Sequence, residues 1–350
     1  MRPILFLAVT LLAACSDALE QRSSAGQVIG VVNATDRTLS VISATDFTVS
    51  TRDWQSGTAT PTTIDGRGQV FAVPLGAADA LGVSLLFTCP PGALSLCVRP
   101  DYTLPLPRGS GATGVVIQDD SIAWVANPNL NTVTRLNYRS GDTSSIAVGR
   151  TPQGVAIVGT RVFVVNGNLT GGGAPAGPSW LTSFECCAAR APDSIPLTGS
   201  DARFAVVGDD SLLYVITAGH PSTADGKLSI VDPIARTELA VLNGLGESPG
   251  AIAFHPAGGR LLVASATEGI LEVNTATRAI TRGPGNGVKP GGHGVSGLAI
   301  DLRGRVYAVD PGACTAPGTV HVLTAPPDYH EVHTLTVGTC PTTAAVAATQ

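Results

Sequence analysis

Charge is what this chain has least of. Charged residues make up 13% of its 350 positions, about half of the roughly 25% usual in soluble domains. The 21 Lys and Arg stand against 26 Asp and Glu, for a net charge of −5, and no basic run interrupts the sequence. Nucleic acid and anionic membrane surfaces need a cationic footprint, so neither is expected as an electrostatic partner. Aromatics are scarce as well, at 5%, with only Trp54, Trp124 and Trp180 among the tryptophans. The N-terminal apolar stretch from Ile4 to Leu12 is too short to cross a bilayer. No CxxC or HxxxH spacing marks a zinc site. The glycines at 171 to 173 are not followed by the Gly-Lys-Ser/Thr of a phosphate loop, and no GxSxG elbow precedes a helix.

Gly (41) and Pro (25) are abundant instead, as many turns between short strands require. One phrase keeps returning, an apolar strand that ends on a small residue. It reads QVIGVVN (27 to 33), QVFAVP (69 to 74), IAWVAN (122 to 127), RVFVVN (161 to 166), LLYVIT (212 to 217), RLLVAS (260 to 265) and RVYAVD (305 to 310). Seven copies, 39 to 53 residues apart, with several short strands each, predict an all-β, seven-bladed β-propeller in which each repeat is a four-stranded blade. The first module has only three strands before the second begins. The surplus TTAAVAA (342 to 348) has the character of a strand A, and is expected to complete the first blade and close the ring. The repeat count argues for one domain over 27 to 350 rather than the two or three that length alone suggests.

Arg2, the apolar stretch and Ala13-Ala14 read as a signal peptide over 1 to 14. Leu12-Ala13-Ala14-Cys15 resembles the lipobox of bacterial lipoproteins, whose Cys is acylated and becomes the mature N-terminus; an ordinary signal with an incidental Cys is the alternative. Ser16 at the next position implies, by that resemblance, an outer-membrane address facing the periplasm. Residues 15 to 26 then form the lipidated Cys and a polar tether that reaches at most ~36 Å. With Cys15 acylated, six cysteines remain in an oxidising compartment, where disulfides are the default. Cys89 and Cys97 bracket a loop between strands, and ring closure should bring Cys314 to Cys340. Cys186 and Cys187 are adjacent and could form a vicinal disulfide.

The phrases VGRTPQGVAI (148 to 157), LGESPGAIAF (245 to 254), VGTCPTTAAV (337 to 346), WVANPNLNTVTRLN (124 to 137) and LSIVDPIARTELAVL (228 to 242) resemble the YVTN repeat of surface-layer and periplasmic propellers. GLAIDLRGRVYAVD (297 to 310) is closer to an NHL-type repeat. The docking tryptophans of quinone-dependent propellers are absent, so no cofactor is expected.

In such a ring the strand D to A and strand B to C loops share one face. The longest, 167 to 179, 219 to 227, 283 to 294 and 311 to 318, come from blades four to seven. They suit contact with a macromolecule, or else form flexible cover. Asn33, Asn127, Asn166 and Asp310 end strand B and should point to this face. They are similar to the calcium or zinc ligands of gluconolactonase-type propellers, yet Asn is part of the YVTN consensus, where it satisfies turn groups; no metal is expected. His220 and His293 belong to the same face, within reach of Asp225, Glu247 and Asp310. His293 is the first candidate for a general base, as in streptogramin lyase-like propellers. His255 lies in an A–B hairpin turn on the opposite face, and His321, His330 and His333 flank strands C and D of blade seven and read as surface residues. The sequence thus points to an envelope-bound module that binds a protein partner, with membrane contact through its lipid. A lactonase- or lyase-like enzyme and an accessory subunit of a membrane complex are the rivals.

Overall fold

A computed structural model describes residues 26–53, 63–86, 101–186 and 191–348. The calls on Cys15, on Cys89 with Cys97 and on Cys187 lie outside these residues.

The chain folds into seven antiparallel four-stranded sheets arranged as a ring, the expected seven-bladed propeller. Strands are lettered A to D from the centre outward. Blade one is assembled from both ends of the fold: Pro341–Ala348 is strand A, beside Gln27–Asn33, Thr38–Ser43 and Val49–Asp53. The register runs from Gln27 opposite Ala348 to Val32 opposite Thr343. The two sheet edges that an open ring would expose are thereby paired. The expected bridge from Cys314 to Cys340 is formed, with Cα atoms 4.3 Å apart, and it fastens blade seven to the residue just before the closing strand.

Each blade packs its faces against both neighbours. Strand Ile122–Asn127 is therefore buried at every position rather than at alternate ones, the pattern of a sheet covered on both sides. Between blades three and four, Trp124 packs on Phe184 with ring centroids 5.4 Å apart, beside Val162 and Val164. Each such side chain contributes about 1.5 to 3 kcal/mol on burial.

Strand A of every blade lines a central channel of about 550 Å³. Its wall is mostly Val, Ala, Ile, Gly and Phe, and Asp65 and Arg203 are its charged members among the described residues. Antiparallel order puts all A–B and C–D hairpins at one end of the ring, here termed the underside. The B–C hairpins and D–A crossings are at the other end, the loop face. Adjacent A strands start level with one another. A Cβ on Gly114 would come within 2.3 Å of Gln153 O, and one on Gly154 within 2.6 Å of Arg203 O.

Candidate functional site

Strand B ends on Asn33, Asn127 and Asn166 in blades one, three and four. These side chains do not point out to the loop face; all three are fully buried inside their blades. Each Nδ2 donates to oxygens of strand C. Asn33 reaches Thr38 and Ser40, both at 2.9 Å; Asn127 reaches Thr132 (3.1 Å) and Thr134 (2.7 Å); Asn166 reaches Thr182 (2.9 Å) and Trp180 O (3.0 Å). The consensus Asn thus ties strand B to strand C, rather than satisfying turn groups as its place in the consensus implies. The VG that opens two of the repeat phrases fits this arrangement. A Cβ on Gly149 would lie 2.4 Å from Asn166 Cγ, and one on Gly338 2.6 Å from Asn33 Cγ, so only glycine passes over the amide.

Blades two, five and six end strand B on Leu75, Thr217 and Ser265 instead, and blade seven places a charged pair at the same register positions. Asp310 stands where the Asn stands. His321 faces Ala308, two residues before Asp310, just as Ser40 faces Val31, Thr134 faces Val125 and Thr182 faces Val164. A neutral amide-to-hydroxyl pair has become a carboxylate beside an imidazole. His321 is buried, contrary to its expected surface position. It lies in a strand covered on both faces, where alternation does not decide exposure. His255 is buried too, its Nε2 3.3 Å from Gly304 O across blades six and seven. His330 and His333 are exposed as expected, with His333 against the ring of Phe47.

The D–A crossing into blade seven adds His293. Its Nδ1 donates to Asp310 Oδ2 at 2.7 Å, while Gly312 N donates to the other oxygen at 2.8 Å. The His293 side chain is 66% exposed and that of Asp310 is 11% exposed, so a buried acceptor orients a ring that faces solvent. With Nδ1 occupied, the Nε2 lone pair is the free one. Behind Asp310, His321 Nε2 is 3.9 Å from the shared Oδ2 and His321 Nδ1 is 3.1 Å from Glu331 Oε1. The Thr334 hydroxyl also donates to Glu331 and, with His321, holds its carboxyl below the usual range despite partial burial. The result is a row, His293, Asp310, His321, Glu331, running from the loop face to the outer strand. A proton or another electrophile taken at Nε2 would be stabilised by the carboxylate behind it.

His220 forms a second dyad on the loop face. Asp225 accepts from its Nδ1 at 2.8 Å and from its backbone N–H at 2.9 Å. Slight burial raises the Asp225 pKa, but these bonds outweigh it and hold the carboxyl below its usual range. Glu247 is partly exposed on the crossing into blade six and bonds to neither histidine among the described residues. Loop 167 to 179 is internally paired, with a bridge between Leu169 and Pro175 and a 2.8 Å bond from Thr170 N to Ala174 O. No group of three or more His, Cys, Asp or Glu among the described residues is arranged to hold a metal ion. The His321–Glu331 pair was missed by sequence reasoning. The signal that finds it is the alignment of the chain's repeats on one another at strand C.

No family model matches the chain, and no curated protein does. Solved structures do. Hydrazine synthase of Kuenenia stuttgartiensis aligns with a TM-score of 0.62 at 13% identity, over 83% of this chain and 92% of that one. Apo AztD of Citrobacter koseri aligns with a TM-score of 0.61 at 12% identity, over 93% and 98%. A streptogramin B lyase gives 0.61 at 10%, over 81% and 94%. At such identities the likeness is one of fold alone, and propellers carry unrelated activities.

Proposed function

We propose that this chain is a YVTN-type, lipid-anchored propeller of the bacterial envelope, at the outer membrane and facing the periplasm, that binds a protein partner through its loop face over blades four to seven. One observation carries the reading. Blades one, three and four close with a neutral Asn–Ser/Thr pair, so the fold does not need the Asp310–His321 pair, which stands under the built-up loops of blade seven. The partner meets ordered backbone, small side chains and the two histidine dyads. The test is capture of partner from solubilised membranes by wild type and by an Asp310→Asn/His321→Thr double variant, which copies the pattern of blade three. The variant should fold normally and capture at least ~10-fold less, a loss of about 1.4 kcal/mol in binding. Equal capture by both proteins overturns the reading. A partner recovered at fixed stoichiometry through purification would make the chain an accessory subunit of that complex.

The 2.7 Å contact between His293 and Asp310 favours a second reading, a lactonase- or lyase-like enzyme with His293 as general base. Turnover of a lactone by wild type that is abolished in His293→Ala would replace the binding reading.

A further inference from the structure

The anchor proposed above and the fold together bear on which way the ring faces. The chain enters the ring at Gln27, the start of strand B in blade one, hence on the underside. There Gln27 O accepts from Ala44 N–H at 2.9 Å and Gln27 Oε1 accepts from Leu302 N–H at 2.8 Å. The entry point is thus under the seam of blades one and seven, beside the Leu302 hairpin. Residues 16 to 26 separate it from Cys15, a reach of ~36 Å at full extension. Reaching the loop face means passing outward under strands C and D, ~10 Å at ~4.8 Å per strand, and then climbing ~23 Å along a seven-residue strand. That path uses nearly the whole reach and leaves almost none between Cys15 and the loop face.

The exposed apolar side chains have the same polarity. Of the six large ones among the described residues, Val49, Leu130, Ile234, Leu239, Leu302 and Val332, only Leu130 is on the loop face. Ile234 and Leu302 are at underside hairpin tips and are the most exposed, at 88% and 63%. Val49, Leu239 and Val332 belong to the first three residues of strand D, where it leaves the underside. Val49 and Val332 are in the two blades that flank the tether's entry. Single exposed apolar residues are ordinary; five on one side, three of them in the two blades at the anchor, are a pattern. Arg67, Arg139, Arg278 and Arg303 are exposed at hairpins on this side, but so are Asp46, Asp120, Asp142, Asp209, Asp210 and Asp328. With no cationic excess on this side, the contact rests on the apolar side chains and needs no anionic lipid.

We propose that the underside lies on the bilayer, with Leu302 and Ile234 entering the boundary between headgroups and acyl chains, and that the loop face points away from the membrane. This rests on the acylation of Cys15, and the experiment separates the two. Lipidated protein is reconstituted in phosphatidylcholine vesicles with brominated acyl chains, and quenching of the fluorescence added by Leu302→Trp, Ile234→Trp or Leu130→Trp is read. The first two should be quenched several-fold more than the third. If Cys15→Ser releases the protein from vesicles yet Leu302→Trp and Ile234→Trp are quenched no more than Leu130→Trp, the anchor stands and the orientation is overturned. If intact-mass analysis of the membrane-derived protein finds no acyl chain on Cys15, the anchor reading itself fails.

Discussion

Asp65 offers a quantitative test of how the channel wall is built. It sits on strand A of blade two and lines the channel, where its Oδ2 accepts from the backbone N–H of Ile117 in blade three at 2.6 Å. That bond ties the edges of two neighbouring inner strands. Enclosure by the surrounding wall pushes its carboxyl up to about 6 from 3.8, against the opposing pull of the Ile117 and Gly66 N–H groups and of Arg67. The folded state therefore binds the proton more tightly than the unfolded chain does. Stability contributed by this group is full below about pH 4 and is lost as pH rises through about 6. A shift of about 2 units corresponds to a cost of about 3 kcal/mol at pH 7.5, and to about 1 kcal/mol at pH 4.5, where only the unfolded carboxyl is mostly ionised. Asp65→Asn keeps an oxygen for Ile117 and removes the charge. Urea unfolding of both proteins at the two pH values cancels every other titration. The variant should gain about 2 kcal/mol on wild type between pH 4.5 and 7.5. Parallel stability curves, or a wild type that gains on the variant above pH 6, would show that a cation compensates the carboxylate and refute the argument.

Deleting residues after Cys340 removes the strand that pairs with Gln27–Asn33 and opens two edges; the loss should be several kcal/mol of a total of about 5 to 15, seen as a lower melting temperature. Gly149→Ala drives a methyl into Asn166 and Trp180 and should cost about 1 to 3 kcal/mol in denaturant unfolding, whereas Gly171→Ala, with open space around it, should be neutral. Removing the disulfide by Cys314→Ala with Cys340→Ala should cost about 3 to 4 kcal/mol for a separation of 26 residues; an unchanged unfolding midpoint would show that the closing strand holds without it.

Blade number, the composite first blade and the Cys314–Cys340 bridge were legible because they follow from counting. Seven equivalent phrases leave one strand over, and antiparallel closure has one place for it. The direction of a side chain was not legible in the same way. Alternation tells inside from outside only where one face of a sheet meets water. In PGTVHVL, strand C of blade seven, the run from Val320 to Leu323 is buried without interruption. His321 therefore reads as a surface residue by type and is an interior one by position. The consensus Asn was seen at the end of strand B, but its partners are on strand C, five to sixteen residues on, a distance set by B–C hairpin length and not by a motif. The sequence makes His293 and Asp310 neighbours because their loops share a face. Their pairing depends on the 290 to 292 turn, where Gly291 takes a positive φ of 62° and passes over the His321 ring.

The departure of blade seven from the repeat gains weight from where blade seven is. It is one side of the seam, and the closing strand touches the candidate site directly. Ser296 Oγ, three residues after His293, donates to Pro341 O at 3.1 Å, and a Cβ on Gly318 would lie 2.3 Å from the Pro341 ring. The loop after Asp310 carries Cys314, whose partner Cys340 precedes Pro341. Below the same seam, Arg305 Nη2 donates to Ala44 O and its guanidinium lies 5.0 Å from the Phe47 ring centroid, next to the point where the tether enters. Ring closure, the His293–Asp310 dyad and the entry of the chain at Gln27 are thus parts of one structural unit of blades one and seven. Opening the seam should therefore disturb the dyad even though neither His293 nor Asp310 is in the closing strand, whereas a comparable lesion between blades three and four should leave the dyad's contacts in place; equal effects of the two lesions on the His293 imidazole NMR signals would refute the link.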